Sequence, residues 1–307
     1  MPVHHLGNTT TMTPARTTYA ENLLAELDQI ADSYAAILAG SGIKYVNPNR
    51  SGSGVFFAGA PDWGWTDSDG AEESARMEVV GRVRHWAPRF CLLFPHPTPT
   101  VQKRMDDGIA HLERWLIRDD GWDHSVPKSI EDAQRLLKAT IDDIRALFTL
   151  LPADDYPTRL VVDTNALIDN PNVAAYTDVL GPNYVVHLLP VVLGELDDLK
   201  RAGRNDIVRQ GAQKAVTRLK GIRNNGNVLE GVRVEGGVIA KFEHIEPAGD
   251  NLPNWLNLSV ADDRLVAAAL LLQSRHPGSA LHVATSDINL QTKLSAAGLP
   301  FVETPAP

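Results

Sequence analysis

A chain of 307 residues, 43% of them hydrophobic, is long for one core and comfortable for two. Its single cysteine, Cys91, excludes an internal disulfide and fits a reducing cytoplasm, and no apolar run approaches the roughly 18 residues of a membrane span. A formal net charge of −9 argues against a protein coated overall for nucleic acid.

Residues 1–18 are polar and Thr-rich, lack the apolar stretch of a secretory signal, and read as a flexible N-terminus. Residues 19–152 read as a mainly helical domain whose role the sequence does not state. Leu23, Leu27, Ile30, Tyr34 and Ile37 fall three and four apart, the stripe of an amphipathic helix. Val101, Met105, Ile109, Leu112 and Leu116 repeat it. Ser129 followed by Asp132 resembles a capping box and opens a third helix, with Ala133, Leu136, Leu137, Ile141, Ile144, Leu147 and Phe148 on its stripe. Between the first two helices lies the Gly-rich, aromatic segment 47–70, which reads as either a hairpin or a long functional loop. Its Ser-Gly-Ser-Gly lacks the Gly-Lys of a phosphate-binding loop. Trp63 and Trp65 either anchor it to a core or stack on bases. The ten histidines form no HxxxH or HExxH pattern, so His4 and His5 read as tail.

Pro152 and Pro157 bracket a short acidic stretch and mark a boundary. From residue 158 to 304 strands alternate with helices. The expected order is a strand over RLVVD and another over YVVHLL. A helix through GELDDLKRAG and a basic helix from about Asp206 to Asn224 come next. A hairpin turning at Glu235-Gly236-Gly237 leads to a helix from Ala261 to about Ser274, a strand over ALHVAT, a helix from Asn289 to Ala297, and a last strand over PFVE. Apolar strands alternating with helices imply a central parallel sheet covered on both faces, and such sheets collect ligands at the carboxyl ends of their strands.

Four acidic residues stand where these elements begin or end: Asp163, Glu195, Asp262 and Asp287. Singly, each is an ordinary turn-former or helix cap. Brought together, their charges repel unless a cation holds them, and hard ions such as Mg²⁺ or Mn²⁺ take oxygen ligands of this kind. The charge is shared unevenly: residues 1–157 hold 15 basic and 22 acidic side chains, residues 158–307 hold 14 and 16. With the four candidate ligands set aside, the second half has a net charge of +2.

Asp-Thr-Asn after a first strand, Glu in VVLGELDDLK, Asp-x-Arg opening an Ala/Leu-rich helix, and TSDINL after a later strand together resemble a PIN domain. The likeness is to the PIN modules of bacterial proteins that also carry a PhoH ATPase, although no Walker A sequence stands here. The resemblance runs from about Thr158 to Thr304. It implies a Rossmann-like α/β/α fold and Mg²⁺- or Mn²⁺-dependent hydrolysis of RNA that leaves 5′-phosphate and 3′-hydroxyl ends. It implies Asp163, Glu195, Asp262 and Asp287 as the metal-binding and catalytic quartet, with Asn165 orienting Asp163. The chain departs from compact members in the long stretch between Glu195 and Asp262 and in the domain that precedes the PIN unit.

The residue types suit that chemistry. A phosphodiester repels an anionic nucleophile, so a metal neutralises its charge and lowers the pKa of bound water. Asp198, three residues after Glu195, shares its helix face and is a secondary candidate, whereas Asp197 faces away. Asp263 competes with Asp262 for one role. Thr285, Ser286 and Asn289 are supporting candidates; the two hydroxyls can bond a water held at the metal or a phosphate. Between Lys200 and Asn224 lie eight basic residues and one acid, and Lys200, Arg201, Arg204, Arg209, Lys214 and Arg218 are candidate phosphate contacts; the alternative is a solvated helix face. The expected partners are an RNA substrate and a protein inhibitor or second copy, with no membrane. Two other readings compete: a PIN-like module that binds RNA or protein without cutting, and a phospho-aspartyl protein using Asp163. The latter lacks the second aspartate of the dehalogenase pattern, where Asn165 stands, and lacks a suitably placed strand-borne lysine for a receiver.

Overall fold

The computed structural model describes residues 17–46, 62–118, 124–203, 205–248 and 252–306. The N-terminal lead-in up to residue 16, His4 and His5, residues 47–61 and Arg204 lie outside them.

The first half is helical. α1 (Tyr19–Gly40) begins at a full capping box, in which the Thr18 hydroxyl accepts from the Glu21 N–H and the Glu21 carboxylate accepts from the Thr18 N–H. Its predicted stripe from Leu23 to Ile37 is buried. Strands β1 (Ile43–Val46) and β2 (Asp62–Trp65) pair antiparallel, so the residues just before the segment left open by the sequence form a ribbon with a strand inside it. α2 (Gly70–Leu92), α3 (Pro99–Ile117) and α4 (Ile130–Phe148) follow. The sequence pattern does not announce α2. Its Val79, Val83, Trp86 and Phe90 have helical spacing, but Arg76 and Arg89 are buried among them and Pro88 lies inside the helix. Arg76 donates through one Nη to the Leu116 carbonyl while its Nε has no partner, and the Trp86 indole N–H donates to the Leu23 carbonyl, each bond at 2.8 Å. Arg118, which ends α3, donates to Ser41, Ser68 and Glu72 and lies 4.4 Å over the Trp65 ring. Trp65 thus anchors the ribbon to the helices.

The second half is a Rossmann-like α/β/α unit. Its elements run β3 (Thr158–Val162), α5 (Thr164–Asp169), α6 (Thr177–Leu180), β4 (Asn183–Leu188), α7 (Pro190–Ala202), α8 (Asp206–Asn224), β5 (Val232–Glu235), β6 (Gly237–Phe242), α9 (Ala261–Arg275), β7 (Ala280–Ala284), α10 (Ile288–Ala296) and β8 (Phe301–Val302). The strands form one sheet in the order β5-β6-β4-β3-β7-β8. All neighbouring pairs are parallel except β5 with β6, the predicted hairpin, where Gly236 turns the chain at a φ of 53°. Every residue of β3 is buried, as a central strand covered on both faces requires. α5 and α6, of six and four residues, are additions to the expected order, being too short for periodicity to reveal.

The halves share one continuous apolar core. The N–H groups of Tyr19 and Ala20 donate to the carbonyls of Ser279 and Pro277, just before β7. His85 Nε2 lies 3.0 Å from the Ala296 carbonyl at the end of α10. Arg89, ion-paired with Glu26, lies against Gly298, where a Cβ would meet its Nη1 at 2.5 Å. Among the described residues, no helix is long and apolar enough to cross a membrane.

Candidate metal centre

β3 is the pivot of the sheet. The chain leaves it for β4 on one side and returns much later to β7 on the other, so a crevice opens at the carboxyl ends of β3 and β7. Asp163 follows β3 directly, and its N–H donates to the carbonyl of Ala284, the last residue of β7 (3.0 Å). Parallel pairing therefore carries the ends of the two strands, and the acidic turn after each, to one edge.

Asp163 is only 6% exposed. Its carboxylate caps α5 by accepting from the Thr164 N–H at 2.6 Å and accepts from the Thr285 hydroxyl at 3.2 Å. Burial, seconded by the charges of Glu195 and Asp262, pushes its carboxyl up to about 6 in spite of those two bonds. Glu195 projects from α7 and accepts from the Thr164 hydroxyl at 2.5 Å. Asp262, in the first turn of α9, accepts from the Asn289 amide at 3.0 Å and from Lys293 at 3.2 Å. Asp263 is turned away and buried. It accepts from the Asn257 N–H at 2.8 Å and pairs with Lys293 at 2.7 Å. Partial burial pushes the Asp263 carboxyl up, but Lys293 and the Asn257 N–H together hold it below the usual carboxylate range. Of the two adjacent aspartates, Asp262 is thus the one whose charge reaches Asp163. Asp287 is exposed and caps α10, accepting from the N–H groups of Asn289 and Leu290.

The supporting residues fall differently from the sequence reading. Asn165 is exposed, and the side-chain and main-chain bonds that orient Asp163 come from Thr285 and Thr164 instead. Thr285 is fully buried; its hydroxyl donates to Asp163 and accepts from the Asp287 N–H at 3.1 Å, tying two acidic positions together rather than facing a ligand. Ser286 is exposed, with its hydroxyl 3.4 Å from that of Thr304. Lys293 and Thr164 were not singled out from sequence. Lys293 stands four residues after Asn289 on one helix face, a spacing that could have flagged it; the Thr164–Glu195 bond joins residues 31 apart and leaves no local trace.

Thr285→Val keeps the shape and removes both bonds. It is expected to destabilise the metal-free protein by about 1–3 kcal/mol, because the Asp287 N–H and a buried carboxylate each lose a partner. A urea midpoint equal to the wild type's would show that the hydroxyl does not organise this edge.

Among the described residues, no three His, Cys, Asp or Glu side chains converge into a group that could hold a metal ion by themselves. The donor chemistry nevertheless fits a hard divalent ion: the donors are carboxylate oxygens, one is buried at a carboxyl poised near neutrality, and Mg²⁺ keeps most of its waters and binds through only one or two carboxylates.

The basic helix lies beside this edge. α8 buries Ala212, Ala215, Leu219 and Ile222 and leaves Lys214, Arg218 and Lys220 exposed, without ion pairs among the described residues. Arg209 pairs with Asp206, Lys200 with Asp197 and Arg201 with Asp198, exposed pairs at spacings of three that hold their cations weakly.

Comparison of the chain with curated proteins finds no match. No family model matches the first half. The model of the PIN domain matches residues 160–304, from β3 to beyond β8, a stretch that includes Asp163, Glu195, Asp262 and Asp287. The C-terminal half of this chain is a PIN domain, a nuclease-type fold.

Proposed function

We propose that this protein is a divalent-metal-dependent endoribonuclease. The observation that carries the reading is Asp163: a buried carboxylate at the switch point of a parallel sheet, held by two protein donors and still driven up to about 6. A carboxyl in that condition lacks a positive partner. Asp163, Glu195, Asp262 and Asp287 would hold Mg²⁺ or Mn²⁺, which when bound neutralises phosphate charge and supplies an activated water. Thr285 and Thr164 fix the directions of Asp163 and Glu195, and Asn289 and Lys293 tether Asp262. Lys200, Arg201, Arg204, Arg209, Lys214 and Arg218 would hold the RNA backbone.

The test is cleavage of a fluorescent, mixed-sequence single-stranded RNA by the full chain with Mn²⁺, Mg²⁺ or EDTA. Cutting is expected with either metal and not with EDTA. One observation favours a second reading, RNA binding without cleavage: the Lys293 ammonium already lies within 3.2 Å of Asp262 and 2.7 Å of Asp263 and could satisfy that corner without a metal. Salt-sensitive RNA binding with no cutting under any metal would favour it.

A further inference from the structure

Beside Glu195 a cleft of about 190 Å³ opens between α7, the segment after β6, and α9. Pro190 and Pro247 contribute apolar walls; Asp198 and Glu246 line it with Glu195; Arg264 of α9 is its cation. The Arg264 Nε is shut off from solvent and has no hydrogen-bond partner, and the guanidinium forms no ion pair among the described residues. Each acid is otherwise engaged or wet: Glu195 by the Thr164 hydroxyl, Asp198 by Arg201, and Glu246 by solvent at an exposed position. With Nε closed off, a ligand in the cleft would be met by the Nη groups of Arg264, and a guanidinium matches the paired oxygens of a phosphate.

We propose that this cleft is a backbone subsite of the nuclease and that Arg264 binds the non-bridging oxygens of the RNA phosphate next to the one presented to Asp163. This rests on the ribonuclease reading for its substrate. Arg264 is a positioning residue: it holds the strand in register while Glu195, on the shared wall, faces the reacting phosphate.

The test is binding of a fluorescent single-stranded RNA by the full chain, followed by anisotropy over a range of salt, with Ca²⁺ in place of Mg²⁺ to suppress cutting. Arg264→Gln is expected to weaken binding several-fold and to lower the slope of log K against log[salt] by about 0.7, the value of one lost phosphate contact on a single strand. A series of RNAs, each carrying one neutral methylphosphonate, then locates that contact. One linkage is expected to penalise binding by the wild type and not by Arg264→Gln, while the remaining linkages penalise both alike. An unchanged salt slope, or equal penalties at every linkage, overturns the proposal. Should Arg264→Gln not fold, Arg264→Lys serves: it keeps the charge and slope but is expected to shrink the penalty at that one linkage, and an undiminished penalty overturns the proposal. The two readings fail separately. If the wild type binds RNA and never cuts it, the nuclease is lost while the Arg264 contact stands; if Arg264→Gln cuts less yet keeps slope and penalties, the subsite is lost while the nuclease stands.

Discussion

Asp163→Asn is expected to lower metal-dependent RNA cleavage at least about 100-fold and, in the same molecule, to raise the stability of the metal-free protein. The first effect follows if the carboxylate helps supply several kcal/mol of charge stabilisation through the metal, at tenfold in rate per 1.36 kcal/mol. The second follows from burial. The folded carboxyl sits at about 6 against a reference value of 3.8, so the unfolded chain ionises first as pH rises. Folding is therefore opposed progressively between those values, and the penalty is complete above them, on the order of 3 kcal/mol at most. Asparagine can still accept from the Thr164 N–H, and its amide can donate to the Thr285 hydroxyl, so the cap of α5 survives. Urea unfolding in EDTA at pH 7.5 is expected to show the variant more stable than the wild type, with Mn²⁺ stabilising only the wild type. A variant less stable than the wild type in EDTA would mean that the ionised carboxylate is a structural asset rather than one side of an unfilled cation site.

Acid is expected to destabilise the protein through His187, with the opposite sign. His187 lies wholly buried in β4, with Nδ1 2.8 Å from Glu243 and Nε2 3.0 Å from Arg159. Arginine can only donate, so Nε2 accepts and the ring proton sits on Nδ1, directed at Glu243. Burial, helped by Arg159 and His276 and opposed by Glu243, pushes the ring down to about 4. The unfolded histidine takes its proton near 6.5, before the folded one can, so stability present above that pH is lost as the pH falls toward 4, by on the order of 3 kcal/mol. Asp154, held down to about 2 by Arg159, Ser279 and the Tyr156 N–H against its own burial, stays ionised throughout this window. The measurement is the urea midpoint from pH 7 to 4.5 in an Asp163→Asn background, which removes the opposing titration. His187→Gln is expected to flatten the profile; a profile as steep as its parent's would assign the acid sensitivity to another group.

These two residues mark different degrees of legibility. Asp163 announces itself, because an acidic residue closing the apolar run RLVV has few places to go in an α/β sheet but the carboxyl edge. His187 sits inside a strand that reads as apolar, and nothing in YVVHLL tells that Arg159, Glu243 and His276 converge on it from β3, the end of β6 and the end of α9.

The sequence by itself determined whatever depends on neighbours a few residues apart. The stripe from Leu23 to Ile37, the cap at Ser129, the span of the basic helix and the hairpin at Gly236 all emerge where periodicity and turn chemistry place them. So do the parallel strands that end at Asp163 and before Asp287, but the sheet order that puts β3 beside β7, and so both residues at one edge, does not. The tertiary structure alone decided what depends on partners distant in the chain. It made a helix of α2, whose buried Arg76 and Arg89 find partners on α3 and α1. It turned Asp262 toward Asp163 and Asp263 toward Asn257, a choice between adjacent residues that helical rotation settles only once α9 is docked. It also spent Thr285 on Asp163 and left the Arg264 Nε buried without a partner, because a hydrogen bond depends on where a fold brings two groups and not on how far apart they lie along the chain.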